Sequence, residues 1–586
     1  MALWTTLGLL AGCTGASGTL NPDSGAVLTE TGTASTDSTP PTDSESTNTL
    51  DTATPTDTAA PPPPETFEAS WLWAPLDLAE ARWLGFEPGP IATDDRVPHG
   101  SVVLTEVGAT VGLGDAVAGG NSHGVGVGFF DANGDGWADV MVASGIGNSS
   151  GSPVYPSSLW LNQGDGTYVD ASVSSGVAAL LEGLDTYSVA AADHDADGDL
   201  DLYVTAHPHD LLLVNDGAGV FTDGTAAAGV GGPESEPASN GSSKIAAWGD
   251  YDGDGWLDVA VASSQFLDHP PHGYVLRNLG DGTFEDVTES SGMVVSPTGN
   301  PCAVLWSDYD NDGDQDLWVW NDRGSSGSNR SLLRNDEGTF TEVRDEVGAT
   351  NPMGNPMGID GVDLNDDGWL DYYIGNIGGN ALLLSAGDGT FIEAGAAAGV
   401  RGEYGWGLGF EDLDLDGLTD IFVAQEDERP FLSFTNLGTQ PPTFEELEWE
   451  HVETPASTSH NVAVAFADAD HDGDVDIVTA GTGGARPNLY RNDTDTGTHH
   501  WLHVSVPLTP GTGSWGGVSG RVVVKTGERI QWRDLQAGSS RASMNELSVR
   551  FGLGHYTGAD WVAVLWPDGR TLAVYGVRGN QRLALQ

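Results

Sequence analysis

Lysine is almost absent from this chain of 586 residues, which contains only Lys244 and Lys525. Lysine and arginine together number 21 against 86 aspartate and glutamate residues, and the formal net charge is −65. A basic nucleic-acid-binding face is therefore excluded for most of the chain. No apolar run in the sequence reaches the length that a transmembrane helix needs.

Cysteine is equally scarce, with only Cys13 and Cys302, which excludes a small fold held by disulfides. Cys302 lies in the apolar stretch "NPCAVLWSD" and is predicted to be a small buried hydrophobe. Cys13 ends the short apolar run "LGLLAGC", which resembles a bacterial lipoprotein signal with Cys13 as the acylated residue. No Lys or Arg precedes Arg82, so the usual basic start is missing. A chance apolar start or a misplaced start codon is the alternative.

The first 97 residues are predicted to export and connect a folded domain. Residues 1–13 are the candidate lipoprotein-type signal, and residues 14–66, rich in Thr, Ser, Asp and Pro, form a predicted disordered linker, because they cannot bury enough apolar surface to offset their ordering entropy. An anchor and a tether would display the protein on a bacterial cell surface or outer membrane; a linker in a secreted protein without an anchor is the alternative. Residues 67–97 hold Trp71, Trp73, Trp83 and Phe86, which are expected to be core, with a carbohydrate-stacking strip as the alternative.

Glycine and aspartate are abundant, and much of the aspartate lies in one repeated pattern. Seven nine-residue copies occur, which we number loop 1 to loop 7: "DANGDGWAD", "DHDADGDLD", "DYDGDGWLD", "DYDNDGDQD", "DLNDDGWLD", "DLDLDGLTD" and "DADHDGDVD". Their first residues lie 62, 57, 58, 55, 49 and 56 positions apart. A period of this size indicates a propeller or another array of repeats.

The segments around each loop are typical of β-strands. A short apolar run such as "KIAAWG" precedes each loop, a β-prone run such as "VAVAS" follows it, and most units continue with a second hairpin pattern such as "YVLRNLGDGTFED". About four strands in each of seven units predict an all-β fold, a seven-bladed β-propeller over residues 98–497. The lead-in from Val102 is predicted to supply the outer strand of the blade that loop 7 begins, which would close the ring.

The pattern D-x-[DN]-x-D-G-x-x-D predicts a calcium site in each loop. Positions 1, 3 and 5 supply side-chain oxygens, position 7 a backbone carbonyl, position 9 a carboxylate, and the glycine at position 6 permits a tight turn. Asn133 and Asn365 replace Asp at position 3, which lowers the local negative charge. Six or so oxygens suit calcium better than magnesium. The alternative is that the acidic loops only solubilise the surface, but scattered charge would suit that purpose equally well.

The predicted metal ligands, by loop, are Asp131, Asn133, Asp135, Trp137 and Asp139; Asp193, Asp195, Asp197, Asp199 and Asp201; Asp250, Asp252, Asp254, Trp256 and Asp258; Asp308, Asp310, Asp312, Asp314 and Asp316; Asp363, Asn365, Asp367, Trp369 and Asp371; Asp412, Asp414, Asp416, Leu418 and Asp420; and Asp468, Asp470, Asp472, Asp474 and Asp476. About seven calcium ions, one per blade, are expected in a structural role.

These units resemble the FG-GAP/VCBS repeats of integrin-α-type propellers, in the form found in the cartilage acidic protein family. The resemblance covers about residues 98–492, and it implies a calcium-binding, surface-exposed or secreted protein of adhesion or ligand recognition. The partner would be a surface protein or a glycan. Related calcium-bearing repeats also occur in some polysaccharide lyases and dehydratases, so a carbohydrate-active enzyme is the second hypothesis.

The repeat stops near His500, and residues 498–586 are predicted to form a separate small β-domain. The segments "QAGSS", "FGLG" and "WPDG", with Asn580-Gln581, resemble the ASPIC/UnbV domain, although "GSWGGVSGR" departs from that family's glycine-rich segment. Nine basic and five acidic residues give this part an excess of positive charge. It is expected to dock on the acidic propeller or to hold an anionic ligand such as an acidic glycan, with Arg521, Arg529, Arg533 and Arg541 as candidates; a solvated mixed surface is the alternative.

No catalytic residue is assigned. His123 and His460 lie eight residues before the first Asp of loops 1 and 7, where they would bind a metal, abstract a proton or, more simply, form hydrogen bonds in a turn. The sequence contains no zinc-type His/Cys cluster, phosphate loop or dinucleotide fingerprint. Recognition without catalysis is therefore the expected function.

Overall fold

The computed structural model describes residues 102–113, 125–145, 155–231, 244–263, 273–293, 300–322, 330–425, 431–447, 461–481, 486–508 and 516–585. Cys13, the aromatic residues between Trp71 and Phe86, His123 and His460 lie outside these residues. None of the described helices is long and apolar enough to span a membrane.

The repeated units fold into seven four-stranded antiparallel blades, as the sequence predicts. The first strand, β1 (Leu104–Glu106), precedes blade 1. Blade 1 contains β2 (Val125–Phe130), β3 (Asp139–Ser144), β4 (Ser158–Asn162) and β5 (Tyr168–Asp170). Blade 2 contains β6 (Asp185–Ala192), β7 (Asp201–His207), β8 (Leu211–Asn215) and β9 (Phe221–Asp223). Blade 3 contains β10 (Lys244–Gly249), β11 (Asp258–Ser263), β12 (Gly273–Asn278) and β13 (Phe284–Asp286).

The remaining blades repeat this order. Blade 4 contains β14 (Asn300–Ser307), β15 (Asp316–Asp322), β16 (Arg330–Asp336) and β17 (Thr339–Glu342). Blade 5 contains β18 (Pro356–Val362), β19 (Asp371–Asn376), β20 (Ala381–Ser385) and β21 (Phe391–Glu393). Blade 6 contains β22 (Leu408–Glu411), β23 (Asp420–Ala424), β24 (Phe431–Asn436) and β25 (Phe444–Glu446). One-turn helices α1 (Val177–Leu180), α2 (Thr225–Ala228) and α3 (Gly395–Ala398) follow the outer strands of blades 1, 2 and 5.

Blade 7 is completed by the start of the propeller chain. It contains β26 (Asn461–Ala467), β27 (Asp476–Gly481) and β28 (Asn488–Asn492), and β1 pairs with β28 as the outer strand, with Leu104 opposite Asn492. The prediction that the lead-in closes the ring is confirmed. Closure in this way pairs a strand edge that would otherwise be free.

The core lies between the faces of neighbouring blades rather than inside one sheet. Trp318 of blade 4 packs on Tyr372 of blade 5 with ring centroids 4.6 Å apart, and both side chains are fully buried. Cys302, in β14, is also fully buried, as predicted. The inner strands β2, β6, β10, β14, β18, β22 and β26 each pack beside the next around the ring, which places the first residue of every loop at the same end of its blade.

The C-terminal residues form two small sheets around an apolar core of their own. One sheet contains β29 (His500–Ser505), β33 (Ser548–Gly554) and β36 (Gln581–Ala584). The other contains β30 (Arg521–Thr526), β31 (Arg529–Asp534), β34 (Gly558–Leu565) and β35 (Thr571–Arg578). Phe551, Val522 and Val562 are among the fully buried side chains between them.

One segment of this domain enters the propeller. Residues 536–546, which we call the axial segment, leave β31 and contribute β32 (Ser543–Met544), which pairs in parallel with inner strand β2. Inner-strand N–H groups in four blades donate to it: those of Val127, Trp248, Leu408 and Val464. The stretch "QAGSS" therefore lines the propeller centre, because the unpaired edges of the inner strands offer it hydrogen-bond donors.

Candidate metal centres

Each loop joins the inner strand of a blade to its second strand, and the same backbone path recurs in all seven. Position 9 is the first residue of the second strand, from Asp139 in β3 to Asp476 in β27. The glycine at position 6 has a positive φ, between 85° and 103°, as predicted for a tight turn. Position 4 is also left-handed in every loop, including the non-glycine residues Leu415 and His471. Such residues persist only where the surrounding structure holds them.

Position 1 organises the turn from inside. In all seven loops its carboxylate accepts the backbone N–H of the position-6 glycine, at 2.7–3.3 Å. Position 5 does the same for the N–H of position 7, at 2.7–3.2 Å. These hydrogen bonds hold the backbone of each loop in its tight turn.

Position 9 ties the loop to the blade. Its Oδ2 accepts the N–H of position 2 at 2.9–3.3 Å. Its Oδ1 accepts an N–H from the end of the third strand at 2.7–2.9 Å. All seven side chains are at most 2 % exposed. The sequence assigned these residues only as metal ligands, whereas the structure shows that they also hold the second and third strands to the loop.

An asparagine at the end of the third strand is the residue that the sequence reasoning missed. In six blades its side-chain amide donates to the carbonyl of position 2 in the preceding blade, at 2.7–3.2 Å. These residues are Asn162, Asn215, Asn278, Asn335, Asn436 and Asn492. Ser385 occupies the position in blade 5. The signal was present as Asn before a turn in "LNQGDG" and "RNLGDG", but its variable distance from the loop concealed it.

The loops bring carboxylates together closely enough to hold a cation. Asp250, Asp252 and Asp254 have ligand atoms within 4.8 Å of one another, and the same holds for Asp308, Asp310 and Asp316 and for Asp412, Asp414 and Asp420. In loop 2 Asp193, Asp195 and Asp197 form one such group, and His194 with Asp195 and Asp201 forms another. His194 was not among the predicted ligands; its Nδ1 lies 2.5 Å from Asp201 Oδ2.

The hydrogen-bond pattern supports the fit of a cation. Among the described residues, seven buried carboxylate oxygens have no hydrogen-bond partner, and every one belongs to these loops: Oδ1 of Asp195, Asp199, Asp252, Asp310, Asp412, Asp470 and Asp474. Four of them are at position 3, which the sequence assigns as a ligand. A buried acceptor left without a partner costs about 1–3 kcal/mol, and an ion is one of the few explanations for such groups.

Electrostatics point the same way. Burial, with added repulsion from neighbouring aspartates, raises the pKa of Asp193 to about 7, that of Asp310 to about 6 and that of Asp470 to about 7. Burial also raises the pKa of Asp139 to about 8. Like charges held this close are stable as carboxylates only beside a positive charge, so the loops are suited to a hard cation with oxygen ligands.

The C-terminal domain contacts loops 3 to 7. Arg529 Nε lies 2.7 Å from Asp366 Oδ2 of loop 5, and Arg521 Nη1 lies 2.9 Å from Asn311 Oδ1 of loop 4. Arg533 donates to Thr419 of loop 6. The predicted docking of this domain on the acidic propeller is supported by these contacts.

The fourth arginine candidate lies in the propeller centre. Arg541 belongs to the axial segment, is only 1 % exposed, and its guanidinium carbon lies 4.4 Å from the ring centroid of Trp406. Arg521 is also paired with Asp534, at 2.7 Å. The alternative that these arginines form an exposed site for an anionic ligand is therefore not favoured, because they are engaged within the protein.

The repeats and the last domain both match known families. The FG-GAP-like repeat family matches residues 131–204, 250–319, 308–374, 363–423 and 412–479, and the ASPIC and UnbV family matches residues 512–586. No curated protein matches the chain significantly.

Several solved structures are similar at low identity. An Agrocybe aegerita lectin that recognises non-reducing terminal N-acetylglucosamine is 17 % identical, with 63 % of this chain and 94 % of that chain covered and a TM-score of 0.36. The V. cholerae biofilm matrix protein Bap1 is 12 % identical over 82 % of this chain and 63 % of its own, with a TM-score of 0.29. The dihydro-heme d1 dehydrogenase NirN is 14 % identical over 69 % and 77 %, with a TM-score of 0.34. TM-scores this low carry no argument about ligand or activity.

Proposed function

This chain belongs to the FG-GAP-like repeat family, and from that premise we propose that it is a calcium-stabilised propeller that recognises a protein or glycan ligand outside the cell. One observation carries the calcium proposal: the described buried carboxylate oxygens that have no hydrogen-bond partner all lie in the acidic loops, namely in loops 2, 3, 4, 6 and 7. Calcium accepts six to eight oxygen ligands in a flexible arrangement, whereas magnesium keeps several of its waters. The ion would neutralise each loop and hold its blade together, which is a structural role.

Recognition rather than catalysis is supported by how the propeller centre is used. The axial segment accepts hydrogen bonds from the inner strands of four blades, so part of the axis, where the blades converge, is filled by the chain itself. A ligand would then bind on the outer surfaces and loops, which suits a partner that forms a large contact surface. The ligand itself is open, because a propeller supports many unrelated functions.

Export and anchoring complete the proposal. Residues 1–13 would act as the signal, Cys13 would carry the lipid, and residues 14–66 would form the tether that places residues 98–497 and 498–586 away from the membrane. Metabolic labelling with a palmitate analogue tests this directly: the wild-type chain should be labelled and a Cys13→Ser variant should not. Equal labelling of the two would remove the lipid anchor from the proposal.

The metal is tested by thermal melts of the full chain with calcium, with magnesium and with chelator, together with a calorimetric titration. We expect a calcium-selective rise in melting temperature and a stoichiometry near seven. An unchanged melting temperature would mean that the acidic loops only solubilise the surface, and calcium would then be removed from the proposal.

The recognition role is tested on glycan and surface-protein arrays with calcium and with chelator, next to a polysaccharide panel assayed for unsaturated products. Calcium-dependent retention without turnover is expected. Unsaturated product from any polysaccharide would favour the carbohydrate-active enzyme instead.

A further inference from the structure

Position 7 of the loops has two different environments. In loops 1 and 3 it is tryptophan, and the indole packs against a glycine of the hairpin turn in the same blade, Trp137 against Gly164 and Trp256 against Gly280. In loop 4 it is Asp314, whose Oδ2 accepts the N–H of Glu337 from the corresponding turn at 2.8 Å. In these loops the side chain at position 7 packs on its own blade, and Trp137 also stacks on His471 of loop 7 with ring centroids 3.7 Å apart.

Loop 7 differs, because its position 7 is a carboxylate buried as a whole residue. Asp199, at position 7 of loop 2, also has an Oδ1 without a partner among the described residues, but it is only partly buried. Asp474 is only 8 % exposed, and its Oδ1 has no hydrogen-bond partner among the described residues. Burial, then the charges of Asp472 and Asp476, raises the pKa of Asp474 to about 10. A side chain so placed is directed into the acidic cluster of its own loop.

Position 1 of loop 7 is used in an equally unusual way. Asp468 is fully buried, and its Oδ2 lies 3.1 Å from Arg582 Nη1 and 3.2 Å from His503 Nδ1, both in the C-terminal domain. The guanidinium of Arg582 therefore places a positive charge directly against this carboxylate. Arg582 also pairs with Glu546 of the axial segment.

We propose that loop 7 binds its cation through Asp470, Asp472, Asp474 and Asp476, while Asp468 is the anchor of the C-terminal domain. In this loop the carboxylate at position 7 replaces the carboxylate at position 1 as a ligand, because the carboxylate at position 1 binds Arg582 instead of the cation. This inference rests on the proposed calcium binding and deepens it, since it assigns different work to two residues that the repeat pattern treats like those of every other loop.

The test is a calcium titration of the full-length protein by calorimetry, with terbium luminescence as a second probe. Four variants are compared: Asp474→Asn, Asp468→Asn, Asp314→Asn as the matched position-7 control, and Asp250→Asn as the matched position-1 control. Asp474→Asn and Asp250→Asn should each lose one site or weaken it at least tenfold, whereas Asp468→Asn and Asp314→Asn should keep the wild-type count. Asp468→Asn should instead release the C-terminal domain in limited proteolysis, which Asp474→Asn should not.

Folding of the key variant is followed by its melting temperature in chelator. Asparagine leaves no charge at this buried position, so metal-free Asp474→Asn should be at least as stable as the wild type, with a smaller rise in melting temperature on adding calcium. Failure of this variant to fold, or an unchanged site count in it, would overturn the assignment, and so would loss of a site in Asp468→Asn. A wild-type protein that binds no calcium would overturn the proposed metal as well, so the two failures are distinguishable.

Discussion

The side-chain amide of Asn162 in blade 1 donates to the carbonyl of Ala469 in loop 7, at 2.8 Å and across 307 positions of sequence. This bond crosses the seam at which the propeller closes. Five further asparagines repeat it around the ring, and the same side chains also reach their own loops, as Asn335 does by donating to Gln315 O at 3.1 Å. Six of the seven pairs of neighbouring blades are therefore linked at their loops by side-chain hydrogen bonds as well as by packing.

Blade 5 offers a direct test of this ring, because Ser385 has no amide with which to reach loop 4. Ser385→Asn should raise the free energy of unfolding by about 0.5–1.5 kcal/mol, the net value of a typical hydrogen bond. Asn335→Ala, the reciprocal change in blade 4, should lower it by about 1–3 kcal/mol, because two buried carbonyls lose a donor. Urea unfolding in the presence of calcium measures both, and a destabilised Ser385→Asn with an undisturbed Asn335→Ala would contradict the role of the ring.

The sequence was sufficient for the blades and for the closing strand. Seven loops at a regular spacing, each between β-prone runs, predicted a propeller. The lead-in at Val102 resembles the last part of a repeat unit, and this resemblance predicted the pairing of β1 with β28. These features are local or periodic, which is the information that a single sequence carries most clearly.

Three features were not predictable in this way, each for a physical reason. The asparagine ring joins residues on different blades, so no local pattern reports it. The axial segment is held by long-range bonds, such as that from Trp248 N to Ala537 O. The left-handed conformation of Leu415 opposes its local preference and is imposed by the surrounding loop.

Substitutions at two positions of loop 4 should distinguish residues that support the fold from residues that bind the metal. Asp316 is fully buried and accepts the N–H groups of Tyr309 and Asn335, at 3.0 and 2.8 Å, whereas Asp310 Oδ1 has no described partner. Asp316→Ala should destabilise the protein by about 2–5 kcal/mol with or without calcium, because two buried donors lose their acceptor. Asp310→Asn should reduce only the calcium-dependent part of the melting temperature. Equal effects of the two variants in chelator would show that position 3 is also structural.

Stability of the metal-free protein should depend on pH in the direction opposite to ordinary acid denaturation. The folded pKa of Asp193 and of Asp470 is raised from 3.8 to about 7 by burial. A raised pKa means that the folded state binds protons that the unfolded state releases, so this contribution is complete below about pH 4 and is lost as the pH rises through 7.

The melting temperature in chelator should therefore fall between pH 5 and pH 8. The rise caused by calcium should grow over the same range, because the ion no longer competes with protons. Differential scanning calorimetry at several pH values, at constant ionic strength, measures both trends. A metal-free melting temperature that increases from pH 5 to pH 8 would contradict the clustering of protonated carboxylates in the loops.

The pair formed by Arg550 and Glu411 should dominate the electrostatics of domain docking. The two side chains are 6 % and 8 % exposed and form a salt bridge between the C-terminal domain and β22 of blade 6. Arg550→Met removes the arginine from the buried Glu411, and a loss of about 3–5 kcal/mol is expected for such a change. Glu411→Gln should cost less, because Arg550 keeps its longer pair with Glu546 at 3.6 Å. The double variant should recover a large part of that loss, since neither charge then remains buried alone.

Arg570→Ala, which removes the exposed pair with Asp568, is the control and should cost about 0–1 kcal/mol. A double-mutant cycle from urea unfolding gives the coupling, and additive losses in the double variant would show that the two residues act independently.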